Sequence, residues 1–304
     1  MQNAFLRWLS GTPPHLVGAW WDEAAVCLVH VDHSDVLPRV TCSYEPVVSV
    51  VPSLEPYQNS GLKNALRVAL ERLGLRPVRL ALGVPSAEVF TKTTSVPPGL
   101  NDKELAQLCL VEAVVNLPIP PEEVCADFLC EVAPDGETQA PVKIAFCRRE
   151  IVDELILTAE DAGVSLAIVD RNIQAIHDAT LWLTQAGEFS EGGYPFAILV
   201  ETEPISLIVA LNELDLVSYV ISNGDIDLTE QIGLCVRRSG VAANGLMRIV
   251  VLQNPDSAPV DIADMKAQGV ECSHLDPLGR LELPRDIPVS AFMTALGMGL
   301  RHNP

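Results

Sequence analysis

Nowhere in these 304 residues does a stretch of about 18 run free of both charge and proline, and an apolar helix needs about that length to cross a bilayer. The best candidate, residues 196–211, is broken by Glu201, Glu203 and Pro204, so no transmembrane helix is expected. The eight cysteines, at 27, 42, 109, 125, 130, 147, 235 and 272, include no Cys-x-x-Cys pair. The spacing of zinc and dithiol sites is therefore missing, and the thiols read as buried and free. Of six histidines only His30 and His33 are close in sequence. On a strand ending at His33 they would face opposite ways, so neither a metal site nor a cofactor is expected.

Positive charge is scarce as well: 20 Lys and Arg stand against 40 Asp and Glu, a net charge of −20. Nucleic acid and anionic lipid surfaces both require a cationic footprint, so those partner classes are excluded. Between Asn172 and Val236 there are ten acidic residues and no Lys or Arg. That run reads as a solubilising surface and suits a basic partner better than a polyanion. The first seven residues place Arg7 inside their only apolar patch and offer no small-residue cleavage site, so a cytoplasmic location without a secretory signal is expected.

What the chain does have is 48% hydrophobic residues, enough for a large core in about two domains. Residues 16–33 read as two short strands around Trp20-Trp-Asp-Glu23, and residues 40–52 as a third strand made edge-like by Pro46. Residues 60–73 carry Leu62, Leu66, Ala69, Leu70 and Leu73 at helical spacing, with Lys63, Arg67 and Arg72 opposite and Gly74 as the stop. Residues 79–170 then pack strands and helices with almost no irregular sequence: strands at 80–85 and 89–96, and a helix over 102–116 capped by Asn101 and stopped by prolines. Strands at 124–130 and 142–147, a helix over 150–162 ended by Gly163, and a buried strand at 164–170 complete an inserted α+β module. A helix over 172–185 and a Gly-Gly joint at 188–193 follow.

The second half repeats that order. Strands at 196–199, 206–211 and 214–221 precede a helix over 228–238, a strand at 248–253, a helix over 262–268, a strand at 270–274 and a small-residue helix over 289–300. The predicted domains are 14–78 plus 171–187 plus 288–301 for a first lobe, 79–170 for its insert, and 194–287 for a shorter second lobe.

Two meander-led lobes, an insert in the first, and a final Ala-Leu-Gly-Met-Gly-Leu-Arg helix together resemble the actin-like ATPase superfamily. Gly83-Val-Pro-Ser86, Thr91-Lys-Thr93, Leu117-Pro-Ile-Pro-Pro-Glu-Glu-Val124, Asp127-Phe128 and Ala145-Phe-Cys-Arg148, continuing through 162–170, resemble in that order the PilM family of type IV pilus assembly proteins. The resemblance implies an α/β fold of two actin-like, ribonuclease H-like lobes with an SHS2-like α+β subdomain inserted in the first. It further implies a cytoplasmic adaptor, peripheral to the inner membrane, that binds the N-terminal tail of a PilN-like protein in a groove beside the insert. Through that partner it would connect to PilO-like and PilP-like proteins, and self-association is a further expectation. The competing expectations are an ATPase of the same fold whose nucleotide state controls partner binding, and an actin-like component of a type II secretion platform.

An actin-like ATPase holds its nucleotide on two Gly-containing turns with an Asp in each lobe, because backbone N–H groups must approach the phosphates and carboxylates must orient the metal. Here the first turn carries Trp20 and Asp22, the second Glu201 and Glu203 before Pro204, and the adenosine turn Gln253-Asn-Pro255. An extra carboxylate about 4 Å from another charge of the same sign costs about 4 kcal/mol at an effective dielectric of about 20. The link between residues 238 and 248 also leaves no room for a helical subdomain over the adenine. The expectation is a pseudo-ATPase without cofactor or catalytic residues, in which at least one of Trp20 and Trp21 fills the phosphate pocket. For the partner groove the resemblance implies Val84, Phe146, Arg148 and Asp170. Core packing is the competing role for Val84 and Phe146, and a structural ion pair the competing role for Arg148 and Asp170.

Overall fold

The computed structural model describes residues 15–34, 38–48, 60–97, 99–116, 119–130, 140–184, 195–200, 205–212, 215–221, 228–241, 248–254, 263, 266 and 270–301. The first lobe begins with an antiparallel meander of β1 (His15–Trp21), β2 (Ala25–Asp32) and β3 (Arg39–Pro46). Asp22 makes the first turn tight, its carboxylate accepting from the backbone N–H groups of Ala24 and Ala25 at 2.7 and 2.9 Å. β3 is an edge strand ending at Pro46, where the missing N–H costs no ladder bond. Helix α1 (Ser60–Leu73) buries Leu62, Leu66, Ala69 and Leu73 and ends at Gly74 with φ +65°. The chain then returns as β4 (Val78–Val84), parallel to β1.

Next come β5 (Phe90–Val96), α2 (Asp102–Asn116), β6 (Val124–Cys130) and β7 (Ala140–Arg148), whose strands form a separate antiparallel sheet in the order β5-β7-β6. Asn101 caps α2 in a reciprocal box: its side chain accepts from the N–H groups of Lys103 and Glu104, and the Glu104 carboxylate accepts from the N–H of Asn101. Leu105, Cys109 and Ala113 of α2 lie on the inward-alternating Ala140, Val142, Ile144 and Phe146 of β7. Helix α3 (Arg149–Asp161), β8 (Ser165–Arg171) and α4 (Asn172–Leu183) follow.

Sheet membership corrects the expected extent of the insert. Both β4 and β8, assigned above to the module at 79–170, hydrogen-bond into the first lobe's sheet, whose order is β3-β2-β1-β4-β8. Helix α3 goes with them, since its Leu155 and Ala159 share a core with Leu62 and Leu66 of α1. The part with a sheet of its own runs from β5 to β7. Strand β8 is correspondingly an edge strand and only partly buried, rather than enclosed on both sides.

The second lobe repeats the plan with β9 (Phe196–Val200), β10 (Ile205–Ala210), β11 (Leu216–Ile221), helix α5 (Leu228–Arg238), β12 (Arg248–Leu252) and β13 (Glu271–Leu275) in the order β11-β10-β9-β12-β13. Three antiparallel strands followed by two parallel ones, twice, is the ribonuclease H-like lobe duplicated as in the actin-like fold. Of the helix expected over residues 262–268, Ala263 and Lys266 are described, and both are helical.

A short helix α6 (Pro277–Arg280) leads to α7 (Val289–Gly299), which lies with α4 between the two sheets. Their shared apolar cluster takes Cys27, Val29 and Val31 from the first sheet and Phe196, Ile198, Val250 and Leu252 from the second. Contact is close enough that backbone meets backbone. A Cβ on Gly18 would lie 1.8 Å from the Ala295 carbonyl oxygen, and one on Gly297 would lie 1.9 Å from that of Ala175 in α4. Gly297→Ala is expected to lower stability by about 1–3 kcal/mol, because rigid backbone must move to admit the methyl group. Gly233→Ala, in α5 with no atom nearer than 3.5 Å to the added carbon, is expected to raise it by up to about 1 kcal/mol through helix propensity. Urea unfolding midpoints of the two variants measure both effects.

Candidate functional site

The cleft where an actin-like ATPase would hold its nucleotide is lined here by residues with other engagements. Trp20 lies on the inter-lobe face of β1 and packs, with Tyr44, Leu281 and Leu283, against the apolar cluster spanning both lobes. Trp21 points the other way, into the core beneath α1. The Asp22 carboxylate is occupied by its own turn. Gln253 is half-buried at the end of β12, and the neighbouring Asn254 side chain accepts from the Val289 N–H at 3.0 Å, tying that turn to the start of α7. Glu201 and Glu203 lie outside the described residues. Among the described residues no three His, Cys, Asp or Glu side chains come together as metal ligands. His30 meets His15 edge-on across the sheet with ring centroids 5.1 Å apart.

A groove runs between the insert and the first lobe. It consists of two adjoining cavities that share Asp127, Ala145, Asp170 and Arg171. The smaller, of about 180 Å³, is apolar and is walled by Val84, Val89, Ala126, Phe146 and Val169 together with the opposed pair Cys125 and Cys147. The larger, of about 320 Å³, opens toward the second lobe and is walled by Thr91, Phe128, Leu129, Lys143, Gln174 and Arg301. Two sheet edges frame it, β6 of the insert and β8 of the first lobe. The second lobe reaches the rim through Asp215, which pairs with Lys143 at 3.3 Å, and through Ser218, whose hydroxyl is 3.3 Å from that of Ser86.

The charges of this groove are arranged in pairs. Arg301, just beyond α7, bridges Asp170 at 2.8 Å and Asp178 of α4 at 2.9 Å. Asp178 also accepts from Gln174, and its Oδ1 lies 2.9 Å from Nδ1 of the buried His177. Arg171 is different. It is 7% exposed, lines both cavities, and among the described residues its guanidinium makes no hydrogen bond or ion pair. Burial lowers its pKa from the ordinary arginine value, while Asp170 and Asp215 pull in the opposite direction. Burial also pushes the Cys147 thiol up to about 11, with smaller contributions from Cys125 and Glu88, so this groove thiol stays protonated and poorly nucleophilic at neutral pH.

Three of the four residues expected at the partner groove, Val84, Phe146 and Asp170, line the smaller cavity together. Val84 and Phe146 are also 4% and 2% exposed members of their cores, and Phe146 stacks on Phe90. Arg148 is not with them. It pairs with Glu150 at 3.4 Å and borders a separate hollow with Glu122, Glu123, Arg149 and Asp153. Sequence reasoning did not find Arg171, Arg301, Lys143 or Asp127. The signal that was present is a cation directly after Asp170 at a strand end, and the last cation of a small-residue helix.

A family model described as type IV pilus assembly protein PilM matches residues 35–194, more than half of the chain. The chain belongs to the PilM family. The matched stretch holds every wall of the groove except Arg301. Among solved structures, this PilM-family chain is similar to one titled as a PilM–PilN type IV pilus biogenesis complex, at 18% identity and a TM-score of 0.70, over 94% of this chain and 98% of that one. It is also similar to the cytoplasmic domain of EpsL, an inner-membrane component of the type II secretion system of Vibrio cholerae, at 10% identity and a TM-score of 0.54, over 95% and 97% of the two chains. At these identities the likeness concerns the fold. Among the described residues no helix is long and apolar enough to cross a membrane.

Arg301 sets the shape of the groove by holding Asp170 and Asp178 together. Arg301→Met is expected to lower stability by about 1–2 kcal/mol, because two partly buried carboxylates lose their shared cation. Adding Asp178→Asn should recover part of that loss by removing the like-charge contact. Urea denaturation of the two variants and the wild type measures the coupling.

Proposed function

We propose that this PilM-family chain is a non-catalytic adaptor of type IV pilus assembly that holds the N-terminal cytoplasmic tail of a PilN-like inner-membrane protein in the groove between the insert and the first lobe. The observation that carries the reading is the groove itself: an apolar cavity continuous with a polar one, framed by two strand edges and lying within the stretch matched by the family model. An extended peptide suits such a site, with side chains in the apolar pocket and main chain along the polar one. Val84, Phe146 and Asp170 form its wall. Through the tail the chain sits at the inner membrane on the cytoplasmic side, linked indirectly to PilO-like and PilP-like proteins, and a second copy of the chain is a further partner. The similarity to a PilM–PilN complex supports the choice of partner.

Titrating the chain with a synthetic peptide of the PilN-like tail from the same organism, read by fluorescence anisotropy, should give saturable binding. Ala126 is exposed and borders the apolar cavity. Ala126→Trp should therefore fill the groove and weaken binding at least tenfold with an unchanged melting temperature. No binding by the wild type, or equal binding by the tryptophan variant, sinks the proposal.

The same reading makes the chain a pseudo-ATPase. Its supports are the Trp20 side chain packed on the inter-lobe core, the Asp22 carboxylate consumed by its own turn, and the Asn254 amide holding α7. Addition of millimolar Mg-ATP should leave the melting temperature and the tail affinity unchanged. Saturable stabilisation at micromolar nucleotide would favour an ATPase that uses its nucleotide state to control the tail.

A further inference from the structure

Among the described residues, the buried Arg171 guanidinium has no hydrogen-bond acceptor. An arginine brings five N–H donors and no acceptor of its own, and the two acids nearest to it are committed elsewhere. Asp170 receives Arg301 at 2.8 Å and the backbone N–H of Arg171 at 2.7 Å. Asp215 receives Lys143 at 3.3 Å, the Asn212 amide at 3.2 Å, and sits in a turn closed by its own N–H on Asn212. The guanidinium thus lines the groove without a partner among the described residues, at the point where the apolar and polar cavities join.

We propose that Arg171 is the main-chain anchor of this groove, donating to the uncharged carbonyl oxygens of an extended peptide rather than to a carboxylate or phosphate. The inference rests on the groove being the tail site and names what the site reads. A neutral acceptor is favoured by the surroundings: Asp127, Asp170 and the rim residue Asp215 offset Lys143, Arg301 and Arg171 itself, so the groove offers an incoming anion no excess of positive charge, on a chain of net charge −20. A carbonyl oxygen supplies two lone pairs without adding charge. Main-chain carbonyls recur along an extended segment whatever its side chains, and the planar guanidinium fork can donate to one or two of them in its plane. Side-chain selectivity would then be left to the apolar cavity beside Val84 and Phe146.

The test compares wild type, Arg171→Met and Arg171→Lys for affinity to the tail peptide and to a peptide of the same sequence with every carboxyl group converted to an amide. The methionine variant should bind at least 30-fold more weakly and the lysine variant should fall between, since a point charge lacks the fork. Amidation should leave both the wild-type affinity and its advantage over methionine in place. Because Arg171 makes no side-chain bond within the described protein, Arg171→Met should melt at the wild-type temperature or above. Binding by the methionine variant within threefold of wild type overturns the inference. So does loss of the wild-type advantage on amidation, which would mark a carboxylate ligand, and so does a fall of more than about 5 °C in melting temperature, which would mark a structural role. A wild type that does not bind the peptide at all overturns the groove reading itself.

Discussion

The close approach of α7 to the first lobe is the constraint from which the rest of the architecture follows. Gly18 and Gly297 let the helix lie against β1 and α4 at distances where any side chain would strike a carbonyl oxygen. The added methyl on Gly83 of β4 would likewise meet Thr294 of α7 at 2.2 Å. Only glycine removes the Cβ that would hold these elements apart. Because protein interiors have little free volume, the gain from such contact is a helix seated directly on its neighbours' backbones. One helix thereby fixes the sheet of the first lobe, the connecting helix α4, and the face on which the second lobe packs.

That placement also builds the groove. Arg301 is the first residue past the α7 C-cap, so the helix that closes the fold delivers its terminal cation onto Asp170 at the end of β8 and Asp178 on α4. The two acids belong to consecutive elements joined at Asn172, and the cation arrives from 131 residues away in sequence. With Asp170 so engaged, the next residue, Arg171, pairs with no acid among the described residues and lines the space between the insert and the lobe. The structural ion pair and the vacant donor are two consequences of one connection.

What could be read from the sequence was whatever short-range chemistry decides. The capping box at Asn101 and Glu104, the positive φ at Gly74 and Gly163, and the proline stop after Asn116 are local, and the element boundaries they set agree with the structure to within a residue or two. Sheet membership is not local. β4 and β8 carry the same apolar alternation whether they pair within the insert or with β1, and only the parallel register Leu80↔Leu166 and Val17↔Leu80 decides between them. The groove was legible in the same measure. Val84, Phe146 and Asp170 line one cavity, whereas Arg148, two residues on from Phe146 and so on its side of the strand by alternation, is the exposed last residue of β7 and pairs with Glu150 instead. Arg171 was hidden because in sequence it follows an acid, and a neighbouring acid and base read as a pair when the acid's true partner lies far down the chain.

The two lobes share one core rather than facing each other across an open cleft. Residues of both sheets, of α4 and of α7 form a single apolar cluster, with Trp20 and Tyr44 from the first lobe and Leu281 and Leu283 from the second packed at its margin. The Arg280 guanidinium adds a direct tie, donating to the Leu183 carbonyl at the end of α4 at 2.6 Å. Rotating the lobes apart would expose that cluster at roughly 25 cal/mol for each Å² of apolar surface, so a few hundred Å² exceeds what one ligand's differential affinity commonly supplies. The groove's polar cavity, by contrast, is bordered on its second-lobe side, among the described residues, by the Lys143–Asp215 pair and a serine contact, and such partly exposed contacts contribute about 0–1 kcal/mol each. Among the described contacts, the joint at the insert is therefore weaker than the one between the lobes. An occupant of the groove needs to displace only those weak contacts, so whatever conformational response this scaffold has is better matched to a peptide beside the insert than to a nucleotide between the lobes.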